Sequence, residues 1–282
     1  MTSHAPVYLV VGHVCQDYTP YGVKWGGTAL FGAITALRLG ARVRVLTSMP
    51  EGCETQALPP GIEVHNVPTP VPLTFRHDYI DGKRRLAITA TAPTLHAGDL
   101  PDAWRSPDIV HFGPVAQEVG HDLIDVFGNS LTGGSVQGWM RSWDGETGYV
   151  APLPAEQLLQ WAPRVQCSFL SEEDIGDRRE VVDFYRKHHE IVALTDGAHG
   201  ATIFAGQSTL RVPAVKVDEV DANGAGDVFA AAFLLQYYET GNRLRAAQFA
   251  AAVASFHVEQ VGIAALPSRA QADARWREHY CD

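Results

Sequence analysis

The residues of this chain that best suit chemistry lie in one run, Asp221-Ala-Asn-Gly-Ala-Gly-Asp227, which opens a strongly apolar segment typical of a helix. The N-terminus of a helix carries unpaired N–H groups and a partial positive charge, and glycines let the backbone approach a ligand closely. The run therefore predicts an anion cradle with the Asp227 carboxylate at its rim, which suits phosphoryl transfer. An ordinary turn with a capping Asp has the same residues, so the run alone does not decide between the two.

Two more segments contain residues that suit ligand binding. Thr195-Asp-Gly-Ala-His-Gly200 follows a predicted strand, and glycine-containing loops at strand ends can face a nucleotide in the crevice beyond a sheet. Asp17 follows the first predicted strand and precedes Gly26-Gly27, and a carboxylate at the end of a strand can accept hydrogen bonds from two hydroxyls of a sugar or polyol. Each segment also has a purely structural interpretation, as a β-turn or a capping Asp.

The elements that must position these segments alternate between strands and helices. A strand from Val7 to Val11, a helix from Thr28 to Leu39 and a strand from Val43 to Thr47 predict a parallel sheet covered by helices. The later strands are predicted at Ile109–Phe112, Val136–Met140, Ser168–Leu170, Ile191–Thr195, Ala201–Phe204 and Leu210–Val212. The later helices are predicted at Val119–Phe127, Ala155–Trp161, Arg178–His188, Ala225–Tyr238 and Leu244–Val258.

The segment from Leu73 to Thr91 differs from its surroundings. Two β-rich runs are joined there by Asp81-Gly82, and prolines flank the pair. This pattern predicts a β-hairpin that projects from the main domain. An antiparallel edge of the main sheet is the alternative.

The composition limits the classes of partner. The 282 residues are 46% hydrophobic, which suffices for one large α/β domain with a small appendage. The formal net charge is −10 without a long basic run, which argues against nucleic acid and anionic membranes as partners. The four cysteines show no C-x-x-C pair or metal spacing and indicate reduced thiols in a cytoplasmic protein. Neither a signal peptide nor a membrane-spanning run is expected.

With these motifs the chain resembles the ribokinase-like (PfkB-type) carbohydrate kinases along essentially its whole length. Gly26-Gly27, Thr195–Gly200, Asp221–Asp227 and the closing Val261-Gly-Ile-Ala-Ala-Leu-Pro267 carry the resemblance in order and spacing. It implies a three-layer α/β/α fold with a central, mostly parallel, doubly wound sheet and a small β lid. The implied kinase core comprises residues 1–70 and 93–282, and the implied lid comprises residues 71–92 with a contribution from 18–25.

The resemblance implies a role for each matching position. Asp227 would be the general base that takes the proton from the accepting hydroxyl. The anion hole would be formed by the backbone N–H groups of Gly224, Ala225 and Gly226. The substrate would be bound by Asp17, Gly26 and Gly27. The ATP site would be lined by Ser171, Thr195, Gly197 and Gly200.

The chain departs from the family pattern at three places. Ala222 stands where the family has Thr, so a hydroxyl contact is missing. Phe31 stands where the family has Asn, which indicates an acceptor other than ribose. The Asn-x-x-Glu motif that organises magnesium resembles Ser171-Glu-Glu-Asp174 here. Magnesium is still expected, with Glu173 and Asp174 serving it through water, because the phosphate charge of ATP must be neutralised.

Further expectations from the resemblance concern a cation and the oligomeric state. A monovalent cation would be bound by carbonyls around Asp221, Asn223 and Gly262. The chain is expected to be a monomer or a homodimer formed through the lid.

The segment Val136-Gln-Gly-Trp-Met-Arg141 bears on the acceptor substrate. It resembles the Gln-x-x-x-Arg pattern of the myo-inositol kinase branch, in which Gln137 and Arg141 would bind several hydroxyls or a phosphate. A surface or ion-pair role for Arg141 is the alternative. We therefore expect an ATP-dependent kinase of a sugar or cyclic polyol, such as myo-inositol. A kinase of a nucleoside or hydroxymethyl heterocycle, and a non-catalytic sensor of sugar and nucleotide, stay open.

Overall fold

A computed structural model describes residues 4–80 and 83–281 of the chain. Its strands in chain order are β1 Val7–Val11, β2 Cys15–Thr19, β3 Gly22–Gly26, β4 Arg42–Thr47, β5 Ile62–Asn66, β6 Thr74–Ile80, β7 Lys83–Ala90, β8 Ile109–Phe112, β9 Leu131–Ser135, β10 Arg141–Trp143, β11 Val150–Pro152, β12 Cys167–Ser171, β13 Ile191–Thr195, β14 Ala201–Ala205 and β15 Ser208–Val212. Its α-helices are α1 Thr28–Arg38, α2 Glu54–Ala57, α3 His121–Ile124, α4 Ala155–Leu158, α5 Glu172–Ile175, α6 Arg179–His188, α7 Ala225–Thr240, α8 Arg243–Val258 and α9 Arg269–Tyr280.

Nine strands form the main sheet in the order β15-β14-β13-β12-β9-β8-β1-β4-β5. All neighbours are parallel except at one edge, where β14 pairs antiparallel with both β13 and β15. The expected mostly parallel, doubly wound α/β sheet is confirmed. Strand β1 illustrates why this sheet forms. Its apolar side chains alternate between the two faces of the sheet, and helices cover both faces.

Helices cover both faces of the main sheet and form two hydrophobic cores. Tyr8 and Val10 of β1 belong to the core that contains α1, α7 and α8. Leu9 and Val11 belong to the opposite core, which includes α3 and α6. The many alanines of α7 and α8 lie buried in the first core, where small side chains let helices pack closely.

A second, four-stranded sheet in the order β3-β2-β6-β7 stands apart from the main one, and we call it the lid sheet. Strands β6 and β7 form the expected hairpin, so these residues do not form an edge of the main sheet. The turn predicted at Asp81-Gly82 lies outside the described residues. The segment 18–25 contributes to this sheet through β2 and β3. The boundaries between core and lid stay a prediction.

One predicted strand is wrong. Val136–Met140 forms a 3₁₀ turn, and the strand of this region is β9, five residues earlier. The sequence pattern does not predict β9, because the strand contains two glycines and glycine is depleted in strands. Only glycine fits at position 133, since a Cβ there would lie 2.7 Å from Leu234 of α7. The helices expected at Val119–Phe127 and Ala155–Trp161 are each reduced to a four-residue helix.

None of the helices within residues 4–80 and 83–281 is long and apolar enough to span a bilayer.

Candidate active site

A cleft of about 860 Å³ lies where the carboxyl ends of β9, β12 and β13 meet the lid sheet. This is the edge of an open α/β sheet at which ligands bind. Almost every site residue expected from the sequence lines it: Asp17, Gly27, Gln137, Arg141, Ser171, Glu173, Asp174, Thr195, Gly197, Gly200, Gly224, Ala225, Gly226 and Asp227. Gly26 does not line the cleft. The structure thus brings these residues together, and their individual roles stay predictions.

Asp227 lies in the first turn of α7, with its carboxylate at the floor of the cleft. Burial raises its pKa to about 6, and this outweighs a hydrogen bond from Thr28 and the charge of Arg141, which both lower it. The Thr28 hydroxyl at the start of α1 donates to Asp227 Oδ1 at 2.7 Å. A pKa close to neutral suits a general base. Sequence reasoning missed Thr28, because 199 residues separate it from its partner.

The turn before α7 presents backbone N–H groups to the cleft. Gly224 adopts the left-handed conformation with φ 84°, and a Cβ there would lie 2.6 Å from the Phe31 ring, so only glycine fits. The Ala225 N–H donates to the Ala222 carbonyl at 3.1 Å. The N–H groups of Gly224 and Gly226 have no acceptor among the described residues and stay available to an anion.

Asp17 forms the lid side of the cleft. It lies in the middle of β2, whereas the sequence suggested a position at the end of a core strand. Its Oδ1 is 3.2 Å from Nε2 of His77, which lies on β6 of the same sheet. Gly26 makes room for it, since a Cβ at Gly26 would lie 2.3 Å from Asp17 Oδ2. Sequence reasoning missed His77, although its alternation within the hairpin places it on one face with Phe75.

Arg141 lies in the wall of the cleft and not at the outer surface. One of its NH groups donates to the Val115 carbonyl at 3.0 Å, and its guanidinium carbon is 5.8 Å from the centre of the Phe75 ring. The side-chain amide of Gln117 donates a hydrogen bond to the backbone carbonyl of Arg141. Burial lowers the pKa of Arg141, and Asp174 opposes this most. Because Arg141 lines the cleft, its guanidinium can bind a ligand there.

Two side chains of the cleft hold the carboxylate of Asp174 in place. Gln137 Nε2 donates to its Oδ1 at 2.6 Å, and Ser171 Oγ donates to its Oδ2 at 2.5 Å. Ser171 also caps α5 by accepting from the Asp174 N–H at 3.0 Å. Both carboxylate oxygens therefore already have a protein partner.

The donor set of the cleft fits magnesium held mainly by a bound phosphate chain and water. Within the part of the chain that the structure describes, no group of three or more His, Cys, Asp or Glu side chains could hold a metal ion. Magnesium keeps several waters in such sites, and Asp174 and Glu173 lie on the cleft wall where they could accept from them.

The other end of the cleft has features that suit a nucleotide. Thr195 ends β13, and its hydroxyl donates to the Leu170 carbonyl at 3.2 Å. Gly200, with φ 94°, is required because a Cβ would lie 2.1 Å from the Val212 carbonyl oxygen. Small apolar side chains follow along the wall: Ala198, Val215, Ala251, Ala254 and Val258. They form an apolar slot next to the glycine turns.

The carbonyl of Asn223, one of those expected to bind a monovalent cation, accepts from His257 Nε2 at 2.7 Å. This bond uses part of its capacity as a cation ligand. A monovalent-cation site stays a prediction.

Residues 147–269 match the family model described as pfkB family carbohydrate kinase. This match covers less than half of the chain. The matched range includes the Ser171–Asp174, Thr195–Gly200 and Asp221–Asp227 segments, and it excludes Asp17 and Arg141. The family match therefore covers the residues expected to act as the base, to form the anion cradle and to bind the nucleotide.

Curated relatives align with this chain over short segments. Fructokinase-2 of Zea mays is 33% identical over 70 residues, which are 25% of this chain and 21% of that protein. An ATP-dependent ribose-1-phosphate kinase of Halopiger xanaduensis is 33% identical over 130 residues, covering 44% of this chain and 40% of that protein. The chain thus aligns with less than half the length of these relatives.

Solved structures resemble this chain over nearly its whole length. A pyrophosphate-dependent kinase in the ribokinase family, complexed with a pyrophosphate analog and myo-inositol, superposes with a TM-score of 0.80 at 22% identity, covering 95% of this chain and 99% of that one. Arabidopsis thaliana ribokinase, complexed with ribose and ATP, gives a TM-score of 0.75 at 18% identity, covering 97% and 99%. The expected ribokinase-like fold is confirmed.

Proposed function

We propose that this chain is an ATP-dependent kinase that phosphorylates a hydroxyl of a sugar or cyclic polyol. One observation carries the proposal: a carboxylate whose pKa is raised to about 6, free N–H groups at a helix N-terminus and a second carboxylate on the lid sheet share one cleft. The first two can deprotonate a hydroxyl and hold a transferring phosphoryl group. The second can orient a polyhydroxylated acceptor.

Asp227 acts as the general base. Above its pKa it is ionised and accepts the proton of the attacking hydroxyl as the oxygen–phosphorus bond forms. The Thr28 hydroxyl holds its Oδ1 at 2.7 Å, which leaves Oδ2 for the substrate. The N–H groups of Gly224 and Gly226 hold the phosphoryl oxygens on which charge must be stabilised. Magnesium, when bound with the donor, neutralises phosphate charge.

The acceptor lies between the lid sheet and Arg141. Asp17 accepts hydrogen bonds from two neighbouring hydroxyls and is held by His77. Phe75 and Leu86 offer an apolar surface beside them, which suits the C–H face of a ring. Arg141 donates to further hydroxyls or to a phosphate on the acceptor. The relatives named for fructose, ribose 1-phosphate and myo-inositol support an acceptor of this class.

The apolar slot next to Thr195–Gly200 supports ATP as the donor. A purine ring buries apolar surface there, whereas pyrophosphate would leave the slot unused. Because neighbouring structures include pyrophosphate-dependent kinases, the donor must be tested directly.

The decisive experiment measures phosphorylated product with ATP or pyrophosphate as donor. The acceptor panel holds fructose, ribose, ribose 1-phosphate, myo-inositol and nucleosides. Product from ATP with a sugar or polyol is expected. The Asp227→Asn variant should lose turnover by a factor of about 10³ or more, while Asp221→Asn, a matched change in the same turn, should retain most of it. Nucleoside-only turnover, pyrophosphate-only turnover or an active Asp227→Asn variant would each contradict the corresponding part of the proposal. Nucleotide binding without turnover of any compound would favour a sensor.

A further inference from the structure

Three polar side chains form a row from the middle of the main sheet to the cleft. Tyr8 of β1 and His111 of β8 are fully buried, and Ser135 at the end of β9 is 6% exposed. The Tyr8 hydroxyl lies 3.1 Å from His111 Nδ1, and His111 Nε2 lies 2.9 Å from Ser135 Oγ. Of the three, only Ser135 lines the cleft. The proposed function gives none of these side chains a task.

The hydrogens of this row can be assigned from burial and partners. Burial raises the pKa of Tyr8 well above its ordinary value, so its hydroxyl keeps its hydrogen. The Tyr8 hydroxyl has no described partner other than His111 Nδ1. If it accepted a hydrogen bond there, its own hydrogen would be buried without an acceptor, which costs free energy. The Tyr8 hydroxyl therefore donates to Nδ1.

The direction of the second bond follows. Burial lowers the pKa of His111 to about 3, so the imidazole is neutral and carries one hydrogen. Since Nδ1 accepts from Tyr8, that hydrogen is on Nε2. The imidazole therefore donates to Ser135 Oγ, and Ser135 keeps its own hydrogen for another acceptor.

Ser135 has no described acceptor for that hydrogen. It precedes the 3₁₀ turn Val136–Met140, but its side chain makes no capping bond to it. It pairs with Phe169 of the neighbouring strand β12, and Phe169 and Gln137 also line the cleft. The free O–H is therefore available to a ligand oxygen in the cleft.

We propose that Ser135 is a substrate-binding donor whose direction is set by Tyr8 and His111 as positioning residues. Ser135 donates to a substrate oxygen that acts as an acceptor, such as a ring ether or a hydroxyl that itself donates to Asp17. Asp17 and Asp227, when ionised, only accept. The cleft thus offers a donor at one position and acceptors at two others. A polyhydroxylated ring binds best when its oxygens match this arrangement, so the cleft selects among isomers. The inference rests on the proposed kinase function.

The first test reads the imidazole without any turnover. Nitrogen-15 NMR of labelled wild-type protein distinguishes the two neutral forms of His111, assigned by comparison with His111→Gln. A signal from the Nε2–H form is expected. The Nδ1–H form would overturn the proposal, because Ser135 would then donate to the ring and have nothing to offer a ligand.

The second test compares the best acceptor of the panel with its analogues that lack one oxygen. Ser135→Ala should lower kcat/KM about tenfold through KM, because one hydrogen bond to the substrate is lost. The analogue that lacks the contacted oxygen should lose nothing further in this variant. Ser168→Ala is the matched control, since Ser168 is a fully buried serine on β12 without a hydrogen-bond partner. Equal kcat/KM for Ser135→Ala and wild type would overturn the proposal.

Tyr8→Phe tests the positioning role at nearly unchanged volume. It should raise KM in the wild-type background, because Ser135 can then turn its hydrogen to the imidazole. It should have no further effect on KM in the Ser135→Ala background, whereas a general loss of packing would add in both. Additive effects would overturn the role of Tyr8. The two proposals fail separately: a chain without kinase activity contradicts the proposed function, while the NMR signal still reports the direction of the row.

Discussion

The hydrogen bond from Thr28 to Asp227 allows the base to be tested without removing it. Thr28→Val deletes the hydroxyl and keeps the branched shape, which matters because the Thr28 methyl packs against Gly113, where a Cβ would lie 2.3 Å from it. The bond is short, at 2.7 Å, and stabilises the ionised carboxylate. Its loss should therefore raise the pKa of Asp227 further above its value of about 6.

The size of the shift follows from the strength of the bond. A hydrogen bond to a charged group contributes about 1.5 kcal/mol at the lower end of its range, which corresponds to about one pKa unit. The ionised fraction of the base at pH 6.5 would fall from about 75% to about 25%, roughly threefold, and the difference would approach tenfold below pH 6. Above pH 8 the two proteins should differ little in this respect.

The assay is the pH profile of kcat/KM with the best acceptor from pH 5 to 9. The acidic limb of Thr28→Val should move up by about one unit. Thr28→Ser retains a hydroxyl and should keep the wild-type limb. An unchanged limb in Thr28→Val, together with unchanged folding, would refute the assignment of Asp227 as the titrating base.

Three further predictions concern stability and the lining of the cleft. Because the folded-state pKa of Asp227 is raised, the folded state binds the proton more tightly, and its stability falls as pH rises from about 4 to 6; Asp227→Asn should therefore raise the free energy of unfolding at pH 7 by up to about 3 kcal/mol, measured by urea titration, with little gain at pH 4, and the absence of a gain at pH 7 would contradict this sign. Gly226→Ala should fold normally, since nothing lies within 4 Å of the added Cβ, but it should lose turnover because the methyl group would meet the phosphoryl group. Gly200→Ala should instead lower the free energy of unfolding by about 3 kcal/mol or more. A lower melting temperature for Gly226→Ala than for Gly200→Ala would contradict the site geometry. His77→Ala should raise KM for the acceptor about tenfold with little change in KM for ATP, and equal effects on both constants would contradict its place on the acceptor side.

Local chemistry in the sequence was sufficient for the parts of the site that are continuous in the chain. The run Asp221–Asp227 follows rules for helix N-termini that need no tertiary information, and the structure places it at the start of α7. The regular strands buried on both faces, such as β1 and β13, were likewise predictable from their apolar runs. These features depend on neighbours within a few residues.

Contacts between distant segments could not be predicted in this way. Thr28 meets Asp227, and Tyr8, His111 and Ser135 form one row, only because the order of strands in the main sheet brings them together. Strand β9 was missed because Gly133 serves packing against α7 and not local strand preference. Asp17 was expected at the end of a core strand, since the pairing of β2 with β6 has no local signal.

The joint between the lid sheet and α1 has a mechanical consequence. Strand β3 ends at Gly26, and α1 begins at Thr28, so a single residue separates the sheet that carries Asp17 from the hydroxyl that holds the base. A connection of one residue allows little independent movement, so we expect a displacement of the lid sheet to move Thr28 as well. If Asp17 binds the acceptor as proposed, we expect acceptor binding and the pKa of Asp227 to influence each other.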